Sequence, residues 1–139
     1  MSNRDCNLFW VSHSQQTEWI FERLRNVIIE YNREYGFDLS PEMGALQLAR
    51  YSSRQHYNWH MDIGASQASL RKVSLVVELA AALKGGGLEI FHGDGIHRVP
   101  TCVGDIIAFP SFIMHRALTV ESGERWSLVS WILGNNTFK

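Results

Sequence analysis

Residues 87–99 have the sequence GLEIFHGDGIHRV, in which two β-prone runs are separated by Gly93-Asp94-Gly95. Glycine adopts left-handed backbone conformations and Asp hydrogen-bonds to its own backbone, so these residues suit a tight reversal of the chain. The pattern predicts a β-hairpin. We therefore interpret the triplet His92-Gly93-Asp94 as part of a turn, although it has the spacing of two metal ligands.

The same alternation of short β-prone runs and turn residues continues from Gly44 to the end of the chain. Such runs are rich in β-branched and aromatic residues, and glycine clusters separate them. The pattern predicts eight strands, at residues 45–51, 58–62, 71–80, 87–91, 96–99, 105–109, 112–118 and 125–133.

A helix is predicted ahead of the strands, at residues 14–35, where apolar side chains recur at helical spacing. Ser12 and Gln15 have the spacing of a capping box at its start, and Gly36 can adopt the left-handed conformation that ends it. Its single apolar stripe indicates that the helix lies against a sheet.

One helix followed by eight strands predicts a mainly β fold, a double-stranded β-helix (jelly roll) of the cupin kind. The chain has 139 residues, of which 45% are hydrophobic, which is enough for one buried core. We expect a single domain at 1–139, with a helical N-terminal part at 12–36 and a jelly-roll core at 44–134.

Composition argues against several classes of protein. The formal net charge of -1 gives no general attraction for a nucleic-acid backbone. The sequence has no run of eighteen apolar residues and no apolar stretch near Met1 that would resemble a signal peptide. We therefore expect a cytoplasmic protein with no membrane partner. Cys6 and Cys102 are expected to be reduced thiols.

His60-Met61-Asp62 is a candidate pair of metal ligands. In an extended segment, residues i and i+2 point to the same side, so both side chains can hold one ion. His115 is the candidate third ligand, although a lone histidine on a strand is more often a core or surface residue. Two imidazoles and one carboxylate can hold a divalent metal ion and leave three coordination positions open, as oxygen chemistry requires.

Arg125 follows His115 by ten residues. We expect its strand to pair antiparallel with the strand of His115 across a turn at 121–124, so that both side chains face one cavity. A guanidinium inside such a barrel would need an anion, which argues for a bound carboxylate. A surface position for Arg125 is the alternative.

Several motifs of the chain occur in an order and spacing that resemble the Fe(II)- and 2-oxoglutarate-dependent dioxygenases, in particular the prolyl 4-hydroxylase-like branch. The resemblance covers roughly residues 46–133. The motifs are Tyr51 and Tyr57 ahead of His60-x-Asp62, Gly86-Gly87-Leu88-x-Ile90, Gly104-Asp105-x-x-x-Phe109-Pro110-Ser111, and His115 with Gly123-x-Arg125-x-Ser127.

The resemblance implies that the two histidines and Asp62 bind Fe(II) and that Arg125 binds the distal carboxylate of 2-oxoglutarate. It also implies O2 as co-substrate, succinate and CO2 as products, and ascorbate as a supporting reductant. Other residues implied in the pocket are Tyr51, Val76, Leu88 and Ser127 around 2-oxoglutarate, and Tyr57 and Trp131 near the substrate. For the two tyrosines and Trp131, plain core packing is the alternative.

The chain departs from the pattern of its relatives in two respects. Glu78 stands where relatives usually place an aromatic residue, and a buried carboxylate there would need Arg125, Lys72 or a proton. The chain also lacks the additional C-terminal helices of many relatives, so we expect a minimal, monomeric catalytic core.

The branch resemblance implies prolyl hydroxylation of a peptide or protein. One alternative is a non-catalytic jelly-roll module that binds metal. Another is a nucleic-acid demethylase on the same fold, which needs a basic groove. The only possible basic cluster is Arg50, Arg54, Arg71 and Lys72, and a solvated strand edge explains it equally simply.

Overall fold

The computed structural model describes residues 2–138, which form one α-helix, one short 3-10 helix and twelve strands. The helix α1 is Glu18–Tyr35 and the 3-10 helix is Ser66–Leu70. The strands are β1 Arg4–Asp5, β2 Asn7–Val11, β3 Leu46–Tyr51, β4 His56–His60, β5 Arg71–Ala80, β6 Lys84–Gly85, β7 Leu88–His92, β8 Gly95–Val99, β9 Ile106–Pro110, β10 Met114–Ala117, β11 Val120–Ser122 and β12 Arg125–Leu133.

The strands form two five-stranded antiparallel sheets and a two-stranded ribbon. We call the first the metal sheet, with strand order β1-β4-β10-β7-β8, and the second the helix sheet, with order β2-β3-β12-β5-β9. The ribbon joins β6 and β11. These antiparallel sheets, with one helix outside them, confirm the predicted jelly-roll fold class.

Strand β12 lies in the middle of the helix sheet and pairs with both β3 and β5. Val129, for example, lies opposite Gln47 on one side and Val76 on the other. Because successive side chains of a strand point to opposite faces, β12 supplies residues to two different layers. Leu128 and Ile132 pack in the core beneath α1, whereas Val129 packs in a separate cluster.

Helix α1 buries one face against the helix sheet. Phe21, Leu24 and Ile28 recur at helical spacing and are 1%, 1% and 7% exposed. They form one cluster with strand residues Leu46, Val73, Leu75, Val77, Leu128 and Ile132. This core covers the outer face of the helix sheet. The inner face of the same sheet is therefore available to line the functional site.

The helix begins at Glu18, later than the predicted residue 14. The capping-box prediction for Ser12 and Gln15 was wrong, because residues 15–17 form turns and Thr17 occupies the N-cap position without a side-chain cap. The Thr17 hydroxyl instead donates to the Ser12 carbonyl. Gly36 has a φ of 64° and ends the helix as predicted.

All eight predicted strands are present, with bounds that differ by at most a few residues. The turn at Gly93-Asp94 joins β7 to β8, as the hairpin prediction required. The four short strands β1, β2, β6 and β11 were not predicted. Strand β2 lies in the N-terminal segment and pairs with β3 at the edge of the helix sheet.

The predicted pairing between the strands of His115 and Arg125 was wrong. Strand β10 pairs with β4 and β7 in the metal sheet, whereas β12 belongs to the helix sheet. The chain changes sheets at Gly123, whose φ of 77° and whose space beside the Leu83 backbone exclude a side chain. None of the helices within residues 2–138 is long and apolar enough to cross a membrane.

Replacing Phe21 by Ala should lower the free energy of unfolding by about 3–5 kcal/mol, because it leaves a cavity between α1 and the helix sheet. Denaturant unfolding measures this change. Trp19→Ala is the matched control, since Trp19 lies on the same helix and is 56% exposed. Equal losses in the two variants would contradict the assigned core.

Candidate metal centre and co-substrate pocket

His60, Asp62 and His115 meet at one point between the two sheets. Each offers one ligand atom, and these atoms all lie within 4.8 Å of one another. His60 and His115 are opposite each other on β4 and β10, and both Nε2 atoms lie 3.5 Å from Asp62 Oδ1. The antiparallel register of two strands therefore brings together ligands that are 55 residues apart in the chain.

Backbone carbonyls determine which imidazole nitrogens are available. His60 Nδ1 donates to the Asn58 carbonyl at 2.7 Å, and His115 Nδ1 donates to the Ile113 carbonyl at 2.8 Å. Because a carbonyl oxygen can only accept, each Nδ1 carries the proton and Nε2 of the neutral ring has a lone pair. Two lone pairs and one carboxylate oxygen then converge, and a cation between them relieves their repulsion.

Two serines hold the Asp62 carboxylate. Ser74 donates to Asp62 Oδ2 at 2.6 Å, and the Ser111 hydroxyl lies 3.0 Å from that of Ser74. Burial acts to raise the pKa of Asp62, but hydrogen bonds and positive charge from His115 and His60 in their protonated form, together with the Ser74 hydrogen bond, hold this pKa well below its usual value. The carboxylate is therefore ionised at neutral pH, with Oδ1 directed to the triad.

Aromatic rings pack around the two imidazoles. The Tyr57 ring stacks on His60, with centroids 3.5 Å apart and planes inclined by 12°. Phe109 meets His115 edge-on at 4.7 Å. These contacts restrict rotation of both rings, so the site is preorganised for its ligand.

The structure brings all ten predicted site residues around one cavity of about 40 Å³. The metal sheet contributes the two histidines, Tyr57 and Leu88, and the helix sheet contributes residues from β3, β5 and β12. The roles of the individual residues in binding stay predictions. The ten residues are Tyr51, Tyr57, His60, Asp62, Val76, Leu88, His115, Arg125, Ser127 and Trp131.

Glu78 is an anion that already accompanies Arg125, whereas the sequence argument had inferred a bound carboxylate from the burial of Arg125 alone. Arg125 Nε donates to Glu78 Oε1 at 3.0 Å, and Nη2 donates to Oε2 at 2.8 Å. Both residues are buried, at 3% and 2% exposure. Glu78 faces inward with Ser74 and Val76, since residues two apart on β5 share a face. Burial of Arg125 by itself is thus no evidence for a bound carboxylate.

Three polar residues of the site were missed from the sequence. Arg4 and Gln47 line the cavity, and Arg4 Nη2 donates to Gln47 Oε1 at 2.6 Å. The Arg4 guanidinium also lies 4.5 Å from the centre of the Tyr57 ring. Arg4 reaches the cavity because β1 pairs with β4, a contact that no local pattern indicates. Ser74 could have been found from the period of two along β5.

Residues 46–133, more than half of the chain, match the model of the 2OG-Fe(II) oxygenase superfamily. The chain belongs to this superfamily. Membership implies Fe(II), 2-oxoglutarate and O2. Two imidazoles and a carboxylate are the donor set that non-haem Fe(II) takes in oxygenases, so the triad of this 2OG-Fe(II) oxygenase fits the metal. The fit to 2-oxoglutarate is less direct, because Glu78 already pairs with Arg125.

Comparisons with individual proteins agree with the family. A PKHD-type hydroxylase of Acaryochloris marina is 34% identical over 89 residues, which are 63% of this chain and 41% of that protein. This oxygenase chain therefore spans about two fifths of the length of that relative.

Two solved structures share the fold. A Pseudomonas putida prolyl-4-hydroxylase has a TM-score of 0.81 at 23% identity, covering 96% of this chain and 74% of that one. The collagen prolyl hydroxylase of Paramecium Bursaria Chlorella virus-1 has a TM-score of 0.74 at 22% identity, covering 94% of this chain and 80% of that one.

Replacing His60, Asp62 or His115 by Ala should in each case abolish tight binding of Mn(II) or Fe(II), because each variant removes one of three ligands. Isothermal titration calorimetry measures the binding. His92→Ala should leave it nearly unchanged, since His92 ends β7 at an exposed turn. Loss of metal only in the His92 variant would overturn the assignment.

Ser74→Ala should weaken Mn(II) binding by about tenfold, because it frees Asp62 Oδ2 and lets the carboxylate rotate. Ser130→Ala is the matched control: Ser130 is also buried, but it lies on the opposite face of the helix sheet. The same titrations apply. Equal metal affinity in the two variants would show that Ser74 does not position Asp62.

Proposed function

We propose that this chain is an Fe(II)- and 2-oxoglutarate-dependent dioxygenase that hydroxylates a C–H bond of a prolyl residue in a peptide or protein. The observation that carries the proposal is the convergence of His60, Asp62 and His115 within 4.8 Å, beside a cavity that Tyr57 and Trp131 also line. A purely structural metal site needs no such cavity next to the ion.

Bound iron, with 2-oxoglutarate and O2, supplies the oxidising power for C–H hydroxylation and leaves succinate and CO2 as by-products. The chain's own residues have other tasks. The triad would hold the metal, and Ser74 keeps the Asp62 carboxylate in one orientation. Buried Val76 and Leu88 exclude water from the wall of the pocket.

The environment of Trp131 favours a substrate peptide that contains proline. Its indole Nε1 is buried and has no hydrogen-bond partner within residues 2–138. A buried donor without a partner is costly, so a substrate group that accepts a hydrogen bond would be favoured there. A prolyl residue in a peptide offers a carbonyl acceptor and has no N–H of its own, and its compact apolar ring can pack against an aromatic wall.

Arg71 contacts two residues that line the cavity and so defines its rim. Its guanidinium lies 3.9 Å from the centre of the Trp131 ring and donates to the Asp62 carbonyl at 3.1 Å. The segment Ser66–Leu70 precedes it directly and carries mainly small side chains. An extended, stiff peptide can pass over such a rim with little loss of entropy.

The names of the relatives also favour prolyl hydroxylation, since they include PKHD-type hydroxylases and prolyl hydroxylases. Three of the four basic residues of the nucleic-acid alternative are paired, stacked or buried, and Arg71 is the one that stacks on Trp131. Arg50 pairs with Glu124 at 3.0 Å, and Lys72 is 6% exposed. The cytoplasmic location, the monomeric state and the benefit of ascorbate stay predictions.

Incubation of the chain with Fe(II), 2-oxoglutarate, ascorbate and a panel of proline-containing peptides should add one oxygen to proline, because the triad, Tyr57 and Trp131 line one cavity. Mass spectrometry of the peptides and succinate formation measure this reaction. The Asp62→Ala variant is the control without a metal ligand. Succinate formation that depends on a nucleobase or a free amino acid, without proline oxidation, would discard the prolyl proposal.

In the same assay, Trp131→Phe should raise the peptide KM several-fold, because it removes only the indole donor. Trp126→Phe is the matched control on the same strand, where Nε1 donates to the exposed Glu124 instead. Equal KM values in the two variants would remove Trp131 from peptide recognition.

A further inference from the structure

The Glu78–Arg125 pair places a carboxylate of the chain on the guanidinium that is expected to bind a co-substrate carboxylate. The pair is bidentate, with contacts of 3.0 Å at Nε and 2.8 Å at Nη2. Its geometry and burial give it a fixed position, so Glu78 is a permanent neighbour of the guanidinium.

The rest of the guanidinium remains available. No hydrogen bond among residues 2–138 uses Nη1 of Arg125, so a second carboxylate could still approach its outer edge. Arg125 borders both the triad cavity and a neighbouring cleft of about 410 Å³, whereas Glu78 borders only the cleft. Glu78 thus binds the guanidinium from the side away from the triad.

Other cations of neighbouring segments contact other groups. Lys72 lies six residues from Glu78 along β5 and has its ammonium group 4.1 Å from the centre of the Phe138 ring. Arg98 borders the cleft and donates to the Gly86 carbonyl at 2.9 Å. Arg4 donates to Gln47 at the other side of the triad cavity. Within residues 2–138, Arg125 is thus the only residue that forms an ion pair with Glu78.

We propose that Glu78 determines co-substrate specificity: by neutralising Arg125 it lowers the selectivity of the pocket for a 2-oxo acid with a distal carboxylate over one with an uncharged tail. The inference rests on the proposed oxo-acid function of this site. A distal carboxylate would share one guanidinium with Glu78, so attraction to Arg125 is offset by repulsion from a like charge. A 2-oxo acid with an uncharged tail experiences neither the attraction to Arg125 nor the repulsion from Glu78.

The test compares 2-oxoglutarate with 2-oxovalerate, which has the same carbon chain but a methyl group in place of the distal carboxylate. Isothermal titration calorimetry on the Mn(II)-loaded chain gives both Kd values without turnover. We expect the chain to prefer 2-oxoglutarate by about tenfold or less. A larger preference would overturn the proposal, and this measurement needs no variant.

The Glu78→Gln variant keeps the shape of the side chain and removes its charge. We expect this variant to increase the preference for 2-oxoglutarate by about tenfold or more, through a lower Kd for 2-oxoglutarate alone. Glu89→Gln is the matched control, because Glu89 pairs with Arg116 at 2.7 Å away from the triad cavity. An unchanged preference in a folded Glu78→Gln variant would contradict the proposal.

The outcomes separate this inference from the proposed function. Weak selectivity in the binding assay together with no peptide oxidation would retain the role of Glu78 and reject prolyl hydroxylation. Strong selectivity for 2-oxoglutarate together with proline oxidation would reject the role of Glu78 and retain the function. Absence of any oxo-acid binding to the Mn(II)-loaded chain would overturn both.

Discussion

The pairing of β12 with β3 and β5 is the constraint on which the rest of the structure depends. Residues 126–129 of this nine-residue strand pair with both neighbours, and the side chains along β12 alternate between two environments. One set packs beneath α1 and supplies stability. The other set, which includes Arg125, Ser127 and Trp131, lines the cavity. A shift of one residue would exchange the two sets and remove both the core and the pocket.

The interior also has to balance its charges. A buried ion pair gains little stability by itself, because taking both charges out of water costs about as much as their attraction returns. Asp62, Glu78 and Arg125 nevertheless lie at 8%, 2% and 3% exposure. Asp62 is balanced through its hydrogen bonds and the imidazoles, and Glu78 and Arg125 balance each other. We therefore attribute these buried charges to ligand binding in the pocket and not to the stability of the fold.

Local patterns in the sequence predicted most of the strands, because β5 and β12 are long β-prone runs bounded by turn residues. The strand spacing of His60 and Asp62 indicated a candidate pair of metal ligands, whereas His115 was added because of its spacing to Arg125 and the family resemblance. Strand pairing was predicted less well, because it depends on contacts between distant segments. The sequence order of His115 and Arg125 suggested a hairpin, but the two residues lie on different sheets.

The same limitation applies to the pocket. The inward direction of Glu78 follows from the period of two along β5, but its partner could not be chosen among Arg125, Lys72 and a proton. That choice depends on the exact position of β12 beside β5, where Ser127 lies opposite Glu78 and a bulge follows. Arg4 was missed for a similar reason, since a two-residue strand has no recognisable periodicity.

Asp62 links the two sheets mechanically. It follows β4 of the metal sheet, yet its carboxylate is tied to Ser74 on β5 of the helix sheet, and its backbone N–H donates to the Ser111 carbonyl just after β9. The spacing between the sheets is therefore transmitted directly to the distance between Asp62 and the histidines. A distant substitution that increases the separation of the two sheets would therefore weaken metal binding before the chain unfolds. Metal affinity would then report on how closely the two sheets pack.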